Sequence, residues 1–286
     1  MGISIGTGQA RLWMTETSVK AQLYNNIKPH DVQAIVNRLM AENMFEISPD
    51  GKTLKVVTNG GYQETMVVPD GVQKIAKEAF RKNHAYGGSR MKQVVLPEGL
   101  KTIGIHAFGK CATLENINLP ESLTKIEDEA FIGCKGLTTV SFPAKLKSIG
   151  SWAFSGCQLQ TIEFAEGGKL TEIGERAFKG VPISTLTIPK GVKKLDSWAF
   201  ADCKNLKTVV LPEGIELFDR FEIFGGCEAL ETINIPASLT NLGYKAFKGC
   251  TSLKNITVDP ANPAYVMKDG KLMTKDLQTQ IFPIVD

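Results

Sequence analysis

The sequence predicts a solenoid, a parallel, β-rich superhelix of stacked units with short helical turns. Two observations predict it. The phrase Ala-Phe-x-x-Cys returns at Ala107-Phe108, Ala130-Phe131, Ala153-Phe154, Ala199-Phe200 and Ala246-Phe247, with degenerate copies around Phe80, Phe178 and Phe224. These phenylalanines stand 28, 23, 23, 24, 22, 24 and 23 residues apart. A fixed period in the low twenties is the mark of a repeat array. The second observation is a companion phrase in each period, such as Leu114-x-x-Ile117-x-Leu119-Pro120 followed by Leu123 and Ile126. A unit this short cannot bury its own apolar residues, so each must cover the next.

Each part of the unit follows from its residues. The Ile117-x-Leu119 alternation reads as a half-buried strand, and it recurs at Val140-x-Phe142, Val209-x-Leu211 and Ile233-x-Ile235. Pro120, Pro143, Pro212 and Pro236 end it, because proline has no N–H to give a neighbouring rung. The shorter second run, as at Leu123 to Ile126, adds another extended piece. Gly104, Gly150, Gly174 and Gly243 then turn the chain, and the Ala-Phe step reads as a short helical turn. At about 4.8 Å per rung, the units between residues 65 and 258 stack to roughly 40 Å. The repeated phenylalanine is an inward plug.

The pattern resembles the bacterial leucine-rich repeats of the BspA type over about residues 65–258, on the strength of Leu114 to Ile126 and the Ala130-Phe131-x-x-Cys134 step. The resemblance implies a leucine-rich-repeat solenoid. It also implies a binding role, since family members are often cell-surface or secreted proteins that adhere to host matrix proteins or other cells.

Both ends look built to cover the array. Residues 1–64 hold an expected amphipathic helix, Pro29 to Met44, with Val32, Ile35, Val36, Leu39 and Met40 on one face. A hairpin follows, turning at Ser48-Pro49-Asp50-Gly51. The helix reads either as a lid on the first rung or as a partner-binding element. Residues 259–286 break the period at Asp259-Pro260-Ala261-Asn262-Pro263-Ala264-Tyr265 and continue as a hairpin. That ending resembles the one common in the same family, and it would cover a sticky edge.

Composition bounds the function. Of the 286 residues, 43% are hydrophobic and 22% charged, as in an ordinary globular chain. The net charge of +3, from 33 basic and 30 acidic residues, offers no concentrated basic face for nucleic acid. No apolar run is long enough to span a membrane. Met1 to Lys20 lacks the apolar core of a signal peptide. Two readings stay open: an intracellular scaffold, or a surface or secreted protein whose signal precedes this chain.

The six cysteines, Cys111, Cys134, Cys157, Cys203, Cys227 and Cys250, each follow a repeat phenylalanine by three residues. They form one column, with Val181 in the same place after Phe178. Parallel side chains a rung apart hold their Cβ atoms farther apart than the roughly 3.8 Å of a disulfide. A column also cannot surround a tetrahedral zinc ion. We therefore expect reduced, buried, structural thiols, with no metal and no cofactor.

No catalytic constellation is visible, so a non-catalytic protein-binding module is the expected class. Gly6-Thr7-Gly8 lacks the strand and third glycine of a dinucleotide loop. His84 and His106 fall in neighbouring units but lack a nearby carboxylate pair. The informative column is the residue before each Ala-Phe step, which should face outwards: Glu78, His106, Glu129, Trp152, Arg176, Trp198, Glu222 and Lys245. Trp152 and Trp198 with Arg176 between them break its polar character. They read either as a partner-binding patch or as local cation–π stacking. A second candidate is the insertion between Phe80 and Met91, whose His84, Tyr86 and Arg90 suit recognition. A third is the exposed column Thr139, Thr161, Thr185, Thr208 and Thr232, whose residues are first of all good strand formers. The expected partner is a protein, such as a host matrix or cell-surface protein.

Overall fold

The computed structural model describes residues 44–58, 64–80, 90–218 and 220–283, together with 3–5, 12–14, 34, 35 and 37. Its architecture is a parallel solenoid of β rungs in which each unit of about 23 residues contributes two extended pieces and one turn. The second, shorter pieces of the units as far as Leu217–Phe218, together with the hairpin before the first unit, build one continuous nine-stranded ladder. It runs from Phe45–Ile47 and Thr53–Val57 through Lys74–Ile75, Thr102–Ile103, Lys125–Ile126, Ser148–Ile149, Glu172–Ile173 and Lys194–Leu195 to Leu217–Phe218. Every pairing in it is parallel except the first hairpin.

The Leu-x-x-Ile-x-Leu pieces build the facing ladder, and this one is broken. It comprises three separate sheets: Thr65–Val67, Gln93–Val95 and Asn116–Ile117; then Thr139–Phe142 with Thr161–Phe164; then Thr185–Thr187, Thr208–Val210, Thr232–Ile235 and Asn255–Val258. Within each sheet the register is strict, so Val94 faces Ile117 and Val209 faces Ile233.

The Ala-Phe steps are turns, not the short helices expected from the sequence. Each closes a three-residue hydrogen bond, such as Cys111 N–H to Phe108 O at 3.0 Å. It then reaches out of the unit: Phe108 N–H donates to Ala130 O at 2.8 Å, and Phe131 N–H to Ala153 O at 2.8 Å. A helix would spend these donors inside one unit; a stacked turn gives them to the next rung.

Between the ladders and the turns lies one core. Phe80, Phe108, Phe131, Phe154, Phe178, Phe200, Phe224 and Phe247 are all buried. Consecutive rings stack face to face, with centroids from 4.4 Å (Phe80–Phe108) to 6.3 Å (Phe224–Phe247) apart and planes within 24°. The rung spacing imposes this parallel geometry, which aromatic pairs otherwise adopt less readily than an edge-to-face contact.

One sequence reading needs correction. Gly104, Gly150 and Gly174 are not left-handed turn glycines. They sit where rungs touch: a Cβ on Gly150 would fall 2.5 Å from Asp128 N, and one on Gly104 would fall 2.6 Å from Ile75 O. Of the four glycines expected to turn the chain, Gly243 is left-handed, with φ of 68°, and the other left-handed positions are elsewhere. They include Gly133, Gly156, Gly180, Gly226 and Gly249 before the cysteine column, where Lys110 and Asp202 take the same conformation without being glycine.

At the start, Ala34, Ile35 and Asn37 of the expected helix are helical and Ile35 packs against the core; its other residues lie outside those described. The hairpin that follows pairs in parallel with the first rung through Thr53 and Leu54. At the far end the chain forms three antiparallel strands, Tyr265–Lys268, Lys271–Thr274 and Gln280–Phe282. Asn262, 1% exposed, donates to Pro236 O and Leu239 O at 2.7 and 2.9 Å. Its Oδ1 accepts the N–H groups of Ala264 and Tyr265. The Tyr265 hydroxyl accepts from Leu242 N–H at 3.0 Å and donates to Thr240 O. These two side chains meet groups that a further rung would otherwise have met.

Candidate functional site

The residue before each Ala-Phe step forms the corner of its rung. All eight corners are left-handed without being glycine, with φ of 58° at Glu78, 52° at His106, 56° at Glu129, 57° at Trp152, 54° at Arg176, 56° at Trp198, 39° at Glu222 and 51° at Lys245. L-residues avoid this region because Cβ crowds the following carbonyl. The hydrogen bonding explains why it is tolerated. From Glu78 to Glu222 the corner N–H donates one rung on, as from Trp152 to Glu175 O at 2.8 Å, Arg176 to Ser197 O at 3.0 Å and Trp198 to Phe221 O at 3.0 Å. The conformation therefore joins rungs while the side chain lies on the surface.

At the middle corners the structure brings Trp152, Arg176 and Trp198 together. The Arg176 guanidinium carbon lies 4.8 Å from the Trp152 ring centroid and 4.1 Å from that of Trp198. One cation thus fills the gap between two indoles that are two rungs apart. Arg176 also pairs with Glu175. Towards the start of the array, the corner carries His106 Nε2 at 2.8 Å from Glu129 Oε2.

The aromatic run continues beyond what the corner column shows. Trp198 stacks on Phe221 with centroids 5.1 Å apart and planes 14° apart. Phe221 meets Tyr244 edge-on at 6.3 Å, and Lys245 Nζ stands 5.2 Å from the Tyr244 ring. Phe221 and Tyr244 are 40% and 57% exposed, unlike most large apolar side chains here. Sequence reasoning missed both. They sit one residue before the corner, in the column Asp128, Ser151, Glu175, Ser197, Phe221, Tyr244, and that column's switch from polar to aromatic was the available signal.

The other sequence candidates do not join this stripe. His84 and Tyr86 lie outside the described residues. Arg90 is exposed and leads into Gln93–Val95 rather than towards a corner. The threonines align in register, Thr139 with Thr161 and Thr185 with Thr208 and Thr232, on the broken ladder's face.

All six cysteines are buried and unbridged. They do more than fill space. Cys134 Sγ donates to Phe108 O at 3.1 Å, Cys157 to Phe131 O at 3.2 Å, and Cys203, Cys227 and Cys250 make the same contact one rung back. Burial pushes the thiols of Cys134, Cys203 and Cys250 well above their ordinary pKa. For Cys157 the neighbouring Cys134 thiol contributes most, with burial next. Protonated, shielded thiols are poor nucleophiles. Among the described residues no cluster of three or more His, Cys, Asp or Glu could hold a metal ion, and no helix is long and apolar enough to cross a membrane.

The repeat has a known counterpart. The family described as BspA type leucine rich repeat region matches in six copies, over residues 59–178 and 126–254. The chain belongs to this family. Among solved structures, this BspA-type chain is similar to a leucine-rich repeat protein of T. pallidum, with 28% identity over 74% of this chain and 88% of the other, and a TM-score of 0.48. A leucine-rich repeat protein from Bacteroides ovatus matches at 23% identity over 73% and 72%, with a TM-score of 0.43. A leucine rich cell surface protein from Faecalibacterium prausnitzii matches at 22% identity over 75% and 92%, with a TM-score of 0.36. No curated protein matches the chain.

Proposed function

We propose that this BspA-type repeat protein is a non-catalytic binding module that works at the cell surface or after secretion. Its contact surface is the aromatic stripe Trp152–Arg176–Trp198–Phe221–Tyr244. The observation that carries the reading is the exposure of Phe221 and Tyr244 at the open end of a stack whose other members hold one another in place. Trp, Tyr and Arg dominate binding energies at protein interfaces. Rings and a guanidinium already fixed by stacking lose little rotamer freedom on contact. The partner is a protein such as a host matrix or cell-surface component.

The buried thiols do not favour the intracellular alternative. A cysteine that is shielded and held protonated stays reduced in either compartment, so the column carries no record of where the protein works.

The test is capture of matrix and host-cell surface proteins by the immobilised full chain. A Trp152→Ala/Trp198→Ala variant and a Phe221→Ala/Tyr244→Ala variant run beside it, each checked for a native circular dichroism spectrum. Loss of capture in both is the expected result. Undiminished capture in both removes the stripe from the interface. Biotinylation of intact source cells tests the location separately: a protein labelled only after lysis contradicts the surface reading.

A further inference from the structure

The break in the long ladder opens the core. At rungs with a paired ladder the inward strand residues are sealed: Val94, Leu96, Ile233 and Ile235 are 0% exposed. On Asn116–Ile117 and Thr161–Phe164, strands that edge the breaks, Ile117, Leu119, Ile162 and Phe164 occupy the same inward positions and are only half-buried, while Val140 and Phe142 between them stay buried. The repeat is also irregular on the far side of this region. The unit after Cys157 reaches its strand one residue early, at Leu159, and then carries Ala165-Glu166-Gly167-Gly168 where its neighbour has Pro143-Ala144. A cleft of about 430 Å³ lies here, lined by Asn116–Glu121, Thr139–Pro143 and Glu163–Ala165. Its floor is Ile117, Leu119, Phe142 and Phe164.

Carboxylates line the mouth of this apolar cleft: Glu98, Glu115, Glu121 and Glu163. Glu98 and Glu121 follow the strand-ending prolines of consecutive rungs, and so stand on the same side. Burial, and then the charge of Glu121, raise the pKa of Glu98, while a hydrogen bond from the Glu121 backbone and then the charge of Lys145 oppose the shift. Glu163 accepts a hydrogen bond from Ser141 Oγ at 2.7 Å, which leaves lone pairs on its carboxylate free. Among the described residues none of Glu98, Glu115 and Glu121 is in an ion pair, although many surface carboxylates of this chain are, including Glu64, Glu216 and Glu228.

We propose that this cleft binds an extended segment of a partner protein that presents a lysine or arginine between apolar residues. The apolar floor takes the flanking side chains, and the cation sits among the carboxylates at the mouth. The charge pattern selects this occupant, because an acidic or purely apolar segment would leave the carboxylates facing each other undisturbed. The backbone favours a polypeptide over a free cation. Asn116–Ile117 and Thr139–Phe142 belong to different sheets, so no described strand pairs their facing edges. An extended peptide can use such main-chain groups. At the upper lip, Asn118 already shows the substitution: its side-chain amide takes Leu96 N–H at 2.7 Å and gives to Leu96 O at 2.9 Å, doing the work of a strand backbone. This cleft lies on the strand face, apart from the corner stripe, so the two readings succeed or fail independently.

The test is fluorescence anisotropy on the full chain with two end-blocked, dye-labelled pentapeptides, Ala-Leu-Arg-Leu-Ala and Ala-Leu-Glu-Leu-Ala. Binding of the arginine probe and not of the glutamate probe is expected. In a Glu98→Gln/Glu121→Gln variant the arginine probe should bind about tenfold more weakly. Glu166→Gln, outside the cleft lining, should leave it unchanged, as should Trp152→Ala/Trp198→Ala. Equal binding of both probes, no binding of the arginine probe, or unchanged affinity in the double-glutamine variant with a native melting temperature would each overturn the proposal.

Discussion

The two ladders of this coil are made by the same repeat, yet one is continuous over nine strands and the other is divided into three sheets. The difference lies in what backs each of them. The continuous ladder is made of two-residue pieces such as Lys125–Ile126, each followed within a few residues by a corner and an Ala-Phe turn bonded to the next rung. Its spacing is therefore set by the phenylalanine stack. The longer strands lie farther along the chain from that stack, and their connections vary in length, as Ala165 to Lys169 shows against Pro143 to Lys145. A repeat protein can thus keep one side rigid and let the other open.

This contrast can be broken by experiment, and the largest effect belongs to the rigid side. Phe131→Ala removes a ring stacked on both faces and should destabilise the fold by about 3–5 kcal/mol in urea unfolding. Ile117→Ala, on the open side, should cost only about 1–2 kcal/mol because the side chain is already half in water. Equal costs would abolish the distinction. Gly150→Ala should cost about 1–3 kcal/mol, since the new methyl meets the backbone of Glu127 and Asp128 as well as the Asp128 side chain. A change in melting temperature of less than one degree would show that the rungs can part there. At the surface, Arg176→Ala should cost about 0.5–1 kcal/mol through the lost cation–π contacts. The smallest change is a gain: Lys110→Gly replaces a left-handed lysine where other rungs carry glycine, and should add about 0.5 kcal/mol. A loss of stability at Lys110 would mean that the lysine side chain contributes a contact worth more than the strain.

The period, the inward phenylalanines and the outward corner column were legible in the sequence, because each repeats and repetition separates core from surface. Three things were not. The corner conformation was hidden because Glu, Trp, Arg and Lys do not signal a positive φ; a bond to the next rung imposes it. The thiol-to-carbonyl contacts were hidden because Val181 in the column argued for volume alone, whereas at the other sites the S–H also meets a phenylalanine carbonyl. Phe221 and Tyr244 escaped because the stack moves to the adjoining column after Trp198, a diagonal step that a single column cannot show. The division of the long ladder left a weak trace, the shifted spacing around Leu159 and Gly167, which the near-constant phenylalanine intervals masked.

Asn262 and Tyr265 recognise only the rung in front of them. They bond to Pro236, Leu239, Thr240 and Leu242, and the first three are main-chain carbonyls while the fourth is a main-chain amide, groups that every unit possesses whatever its side chains. The ending is therefore indifferent to how many units come before it. A lineage could duplicate or delete whole periods by recombination and keep the same cap, so the length of the array and the number of exposed corners can change without a new way of stopping.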